Sequence, residues 1–261
     1  MSPFSLLLVL AVIQGLAEFL PISSSGHLVI AQRLLPGGAE LSDGIGVEIM
    51  LHLGTLVAVL VHYRKRIQLL VRGIFGQGDS VVEQRSYLAK LVVATLPAVI
   101  AGLFVFDTDS YLFNSSTTAA YGLLFTAAVL FSARFASHGS TAISFYKAAA
   151  VGLAQAIAIL PGISRSGSTI IAARHLKIAP QQAEDFSFIM AIPTIVGAAV
   201  LKLPDADFST LAPLDLGCAL MVSFVVGLFA LKVVHKVVQK RKMYLFAPYC
   251  LLVAIFVLAS T

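Results

Sequence analysis

The chain has 261 residues, 58% of them hydrophobic and only 12% charged, with a mean hydropathy of +0.92. That balance excludes an ordinary soluble globular domain and an outer-membrane barrel, whose strands alternate in short segments, and points to an all-α polytopic membrane protein. The net charge of +5 reads as membrane topology, with no nucleic-acid partner.

In chain order, residues 4–20 are apolar and stop at Pro21, and residues 27–35 form a shorter apolar piece ending at Pro36-Gly37-Gly38. Neither piece comfortably supplies the ~20 residues that cross a bilayer. The break between them, Glu18 to His27, is polar, so the pair reads as a re-entrant helical hairpin. Residues 46–62 read as a span closed by Arg64-Lys65-Arg66, and a polar connector follows with Gly73, Gly76, Gly78, Asp79 and Glu83. Residues 90–106 span again up to Asp107 and Asp109, and residues 118–135 span a third time. The pattern then restarts. Residues 146–161 are apolar, break at Pro161-Gly162 and resume at 167–176; spans follow at 186–202, 214–233 and 244–260. Cys218 and Cys250 lie in apolar runs and read as buried thiols. The apolar N-terminus lacks a basic leader region and is expected to be retained.

Charge asymmetry sets the orientation. The connectors at 62–90, 134–147, 174–177 and 232–242 hold 15 Lys/Arg; those at 36–47, 107–116 and 202–213 hold only Lys202. The first set is expected to be cytoplasmic, which puts both termini outside. The first hairpin then enters from the outer side and the second from the cytoplasmic side, as in an inverted repeat of about 1–137 and 138–261. Each half is one re-entrant hairpin plus three transmembrane helices, in a single membrane domain. At an offset of about 141, Gln14 matches Gln155, Ser23 matches Ser164, Ser25 matches Ser166 and Gly26 matches Gly167. Folds of this kind place their site near the bilayer midplane, where the broken helices meet.

The two tips would bring together Gln14, Glu18, Ser23, Ser24, Ser25 and His27 from one side and Ser164, Arg165, Ser166, Ser168 and Thr169 from the other. Each tip is a Ser/Gly turn opening into a helix, which makes free backbone N–H groups available to an anion. Arg165 adds a forked donor suited to phosphate oxygens. A charge at mid-bilayer costs roughly 2.5–3.5 kcal/mol even on the lenient insertion scale, so Glu18 and Arg165 need a partner or a task. Glu48 is read as lining the entrance or sitting at the interface. His52 is read as packing, and His62, His138, His175 and His235 as interfacial. A purely structural Glu18–Arg165 pair is the plain alternative.

At these residues the chain resembles the undecaprenyl-diphosphate phosphatase family of the bacitracin-resistance type. The run Gln14 to His27 resembles its Glu/Gln motif and Ser-rich turn, and Pro161-Gly162-Ile163-Ser164-Arg165-Ser166-Gly167 resembles its Pro-Gly-x-Ser-Arg-Ser-Gly motif. The resemblance covers the whole chain. It implies an enzyme of the bacterial inner membrane that removes the terminal phosphate of a C55 prenyl diphosphate at the outer face, giving the monophosphate carrier of cell-wall synthesis. By the same resemblance Glu18, Ser24, His27 and Arg165 are catalytic. Gln14, Ser23, Ser25, Gly26, Glu48, Ser164, Ser166, Gly167 and Thr169 line the substrate. Glu18 is a candidate ligand for a divalent cation, magnesium or calcium, with no organic cofactor. Gln14 stands where the family often has Glu, and an amide cannot act as a base. The expected partners are the prenyl diphosphate and the bilayer; a homodimer stays open. A transporter or flippase of a phosphorylated lipid is the rival reading. The other large class of lipid phosphatases requires a His six residues after the Arg, and here that residue is Ile171.

Overall fold

The structure is a computed structural model that describes residues 2–36, 45–78, 80–106, 111–136, 139–208 and 212–260. Gly37, Gly38, Asp79, Asp107, Asp109 and His138 therefore lie outside the described residues. Among those residues the chain is helical, and β pairing is limited to one isolated bridge between Thr141 and Ile178. The helices are α1 (Pro3–Ala17), α2 (Ser24–Leu34), α3 (Ile45–His62), α4 (Arg64–Ile74), α5 (Val81–Ile100), α6 (Tyr111–Asn114), α7 (Ser116–Ser132), α8 (Phe145–Ile157), α9 (Arg165–His175), α10 (Pro180–Lys202), α11 (Pro213–Gln239) and α12 (Ala247–Ala259).

Five of these, with their one-turn extensions, are long and apolar enough to cross a membrane: Ile45–His62, Val81–Val105, Ser116–Phe135, Pro180–Asp205 and Pro213–Gln239. The chain is a multi-pass membrane protein. The last apolar helix, Met243–Ala259, and the first, Pro3–Ala17, are shorter. Large apolar side chains lie exposed along α5 (Val92, Leu96, Val99) and α12 (Leu252, Ile255, Phe256), where acyl chains cover them without cost.

Between helices, packing relies on small residues, as it must where lipid removes the hydrophobic drive to associate. A Cβ on Gly54 of α3 would sit 2.5 Å from the Leu220 carbonyl oxygen of α11, and one on Gly15 of α1 would sit 2.8 Å from that of Ser223. Ser223 Oγ closes the contact by donating to the Leu51 carbonyl at 2.8 Å. The most extensive pairings set α3 and α1 against α11, α5 against α8, and α7 against α12. Buried thiols were expected; Cys250 is buried and Cys218 half-buried.

The helix ends differ from the hydropathy reading. The polar connector after residue 62 contains a helix, α4, and α5 begins at Val81 rather than near 90. Glu83, Gln84 and Arg85 are competent helix formers. Arg85 donates to the Gly73 and Ile74 carbonyls at 3.1 and 3.2 Å, capping α4 with the first turn of α5. In the same way α10 starts at Pro180, six residues early, and α11 runs six residues late to Gln239. Hydropathy marks the stretch that lipid can cover. The helix continues past it wherever polar residues find partners, as Glu184 does with His235 Nδ1 at 3.1 Å and Gln239 Nε2 at 3.3 Å.

Candidate active site

The two polar stretches form matching tips. After α1 the chain turns through residues 18–22, and Ser23 opens α2, its Oγ accepting the Gly26 N–H at 3.3 Å. After α8 it turns through residues 158–163, and Ser164 opens α9, its Oγ accepting the Gly167 N–H at 3.1 Å. Paired hydroxyls recur too: Ser23 and Ser25 lie 3.4 Å apart, Ser164 and Ser166 3.3 Å. These caps satisfy helix N-termini that would otherwise present orphan donors to a water-poor interior.

The tips meet at glycine. A Cβ on Gly26 would lie 2.7 Å from the Gly162 Cα, and Gly162 itself has φ +86°, a conformation that suits glycine alone among common residues. Thr126 of α7 holds the second tip from behind, donating to the Gly162 carbonyl at 2.8 Å and accepting the Ser164 N–H at 2.9 Å. Ser166 Oγ donates across to the Leu20 carbonyl at 3.3 Å.

Glu18 is the centre of the arrangement. Its residue is 7% exposed, yet its carboxylate is fully engaged. Oε1 takes the Arg165 guanidinium in an ion pair. Oε2 accepts the Ser24 hydroxyl at 2.6 Å and the Gln14 amide at 3.1 Å. His52 Nε2 approaches the same oxygen at 3.9 Å, while its Nδ1–H donates to the Glu48 carbonyl at 2.9 Å. Each of these partners is a way of holding a carboxylate charged in a site with little water.

These groups open onto a cavity of about 340 Å³ between the two tips, α3 and α10. Of the residues expected at the site, Glu18, Ser23, Ser24, Ser25, Glu48, Ser164 and Arg165 line it. Others support the lining from outside. Gln14 is fully buried and reaches Glu18 alone, with its Oε1 unpartnered. Ser166, Gly26 and Gly167 pack tip against tip. Thr169 Oγ1 donates to the Arg165 carbonyl at 2.8 Å and pairs with Ser187 at 2.5 Å.

His27 stands apart from the cavity. Its Nδ1–H donates to the Ser23 carbonyl at 2.8 Å, its Nε2 meets the Tyr249 hydroxyl at 2.8 Å, and the two rings stack at 5.6 Å. Ser23 has φ +72°, so this imidazole braces a residue in the left-handed region that a non-glycine residue seldom adopts. His52, read from sequence as packing, lines the cavity instead. The signal was its i+4 spacing from Glu48, which puts both on one helix face. Lys202 and Gln155 also line the cavity. Gln155 carried a signal of its own, standing about 141 residues after Gln14, at the offset that matches the two polar stretches.

The family described as bacitracin resistance protein BacA matches residues 7–256. Curated relatives named undecaprenyl-diphosphatase include one from Desulfosudis oleivorans, 42% identical with 93% of each chain covered. Another from Syntrophotalea carbinolica is 38% identical, again with 93% of each covered, and one from Korarchaeum cryptofilum is 35% identical with 97% of each covered. The chain belongs to the bacitracin resistance protein BacA family.

Proposed function

We propose that the chain is an integral membrane phosphatase that hydrolyses undecaprenyl (C55) diphosphate to undecaprenyl phosphate and inorganic phosphate, the activity named for its curated relatives. The observation that carries this reading is the Ser24 hydroxyl held 2.6 Å from Glu18, whose other oxygen binds Arg165 from 147 residues further along the chain. A serine, an adjacent base and a forked cation facing one cavity are the parts that phosphoryl transfer needs.

In the proposed reaction Ser24 Oγ attacks the terminal phosphorus and passes its proton to Glu18. The Oγ–P bond forms as the bridging P–O bond breaks, and that electron pair leaves on undecaprenyl phosphate. Arg165 and the N–H groups of the tips stabilise charge on the transferring phosphoryl oxygens. Water then attacks the phosphoserine, inorganic phosphate departs, and Ser24 recovers its proton. His27 serves by holding the Ser23–Ser24 backbone, since both of its ring nitrogens are engaged outside the cavity. Magnesium or calcium is the expected cation, but the described residues do not build a site for it. They hold no cluster of three or more His, Cys, Asp or Glu suited to a metal, and both Glu18 oxygens have partners.

We read the two broken helices as re-entrant hairpins of an inverted repeat, about 1–137 and 138–261, each half completed by three crossing helices. The matched caps at Ser23 and Ser164 support this. So does the exchange of partners, in which α1 of the first half packs on α11 of the second while α8 of the second packs on α5 of the first. The cavity would face the outer side of a bacterial inner membrane. Glu48, in the first turn of α3, lines it, and the far end of α3 leads into Arg64-Lys65-Arg66. The test is phosphate release from prenyl diphosphates by purified protein in detergent, with and without chelator. Release that disappears in Ser24→Ala supports hydrolysis. Substrate movement across vesicles without phosphate release would support a flippase instead.

A further inference from the structure

We propose that Lys202 is a second anion-binding group of this site, held by Glu48 until a diphosphate enters and then transferred to the phosphate that stays on the lipid. The proposal rests on the prenyl diphosphate reading above. It starts from a charge balance. Among the described residues, the charged side chains lining the cavity are Glu18, Arg165, Glu48 and Lys202, and they cancel in two pairs. A phosphate monoester alone brings about −1.5 to −2 at neutral pH, and a diphosphate brings more. Arg165 is shared between Glu18 and the transferring phosphoryl group, so a second cation has to be released for the substrate's remaining charge.

The two pairs differ in how easily they open. Arg165 and Glu18 have side chains 16% and 5% exposed, whereas those of Lys202 and Glu48 are 34% and 44% exposed. Breaking a buried pair costs about 3–5 kcal/mol. A half-exposed pair contributes only about 0–1 kcal/mol, so the outer pair is the one that exchanges. The reach is also right. Glu48 and His52 are one helical turn apart, about 6 Å of rise, and His52 Nε2 lies 3.9 Å from the Glu18 oxygen that holds Ser24. Lys202 Nζ, 3.0 Å from Glu48 Oε2, lines the same cavity as Ser24 and Arg165. A compact ammonium on a flexible stem, at the C-terminal end of α10, can swing from carboxylate to phosphate.

The experiment compares Lys202→Met, Lys202→Arg and Glu48→Gln with the wild type, measuring kcat and KM for a prenyl diphosphate in detergent at fixed divalent cation. Inhibition by inorganic diphosphate and inorganic phosphate is measured beside it. A lost charge-assisted contact predicts a KM raised about tenfold or more in Lys202→Met, with kcat changed by less than about threefold. Inorganic diphosphate should lose more inhibitory strength than inorganic phosphate, and Lys202→Arg should restore most of the binding. Glu48→Gln frees Lys202 and should move KM the other way, downward. A merely structural salt bridge would shift both variants in the same direction, in KM and in melting temperature, and that result overturns the proposal. If Ser24→Ala abolishes turnover while Lys202→Met leaves KM unchanged, the proposal fails and the phosphatase reading stands. If the wild type releases no phosphate, the phosphatase reading fails and takes the proposal with it.

Discussion

Replacing Arg165 by Ala removes the cation from a carboxylate whose side chain is 5% exposed. Two separate losses follow. Leaving a buried charge unpaired costs about 3–5 kcal/mol of stability. Removing the cationic group that stabilises a transferring phosphoryl costs about a thousandfold or more in turnover, by analogy with arginines that supply this charge elsewhere. The two are separable because the stability loss belongs to Glu18. In the double variant Glu18→Gln/Arg165→Met, neither charge remains and the Gln side chain still accepts from Ser24. Its melting temperature should return to near that of the wild type while activity stays absent. The assays are phosphate release in detergent and thermal unfolding followed by size exclusion. Arg165→Ala with wild-type turnover would refute the site. A double variant no more stable than Arg165→Ala would refute the claim that the cost lies in the unpaired carboxylate.

Other changes probe the supports of the site. His27→Asn places an amide N–H near the position of Nδ1, so it should keep most activity with an unchanged pH profile, whereas His27→Ala should lose activity as Ser23 relaxes; loss of activity in His27→Asn, with the fold intact, would return the imidazole to proton transfer. Thr126→Val removes the hydroxyl that joins the Gly162 carbonyl to the Ser164 N–H, leaving two buried groups unpaired at about 1–3 kcal/mol each, which a fall in melting temperature would report. Gly26→Ala puts a methyl 2.7 Å from the Gly162 Cα, so the tips must part and kcat should collapse; a variant of unchanged activity would show that the tips need not touch.

The helical fold was readable because lipid imposes long apolar segments, and those at 46–62, 118–135 and 214–233 fall within or nearly within the observed helices. The centre of the candidate site was legible for a related reason. Glu18, Ser24 and Arg165 are polar where the pattern requires apolar residues. His52 was legible only through its i+4 spacing from Glu48, because one imidazole in an apolar helix looks the same whether it faces a neighbour or a cavity. Lys202 was hidden by its place at a helix end, where a cation is ordinary. His27 shows the limit of local spacing in another way. Its position beside three serines suggested chemistry, but its rotamer is set by Tyr249, 222 residues away, a contact that local spacing cannot encode.

The ion pair at the centre of the site also has a timetable. Glu18 and Arg165 are separated by 147 residues of chain, so at about 5–20 residues per second the carboxylate waits roughly 7–30 s for its counter-ion during synthesis. Until then the first tip has no second tip to pack against, and Gly26 and Leu20 lack the Gly162 and Ser166 contacts they make in the folded chain. Chains truncated before Arg165 are expected to be recognised as unfinished and degraded rather than to accumulate as a stable fragment.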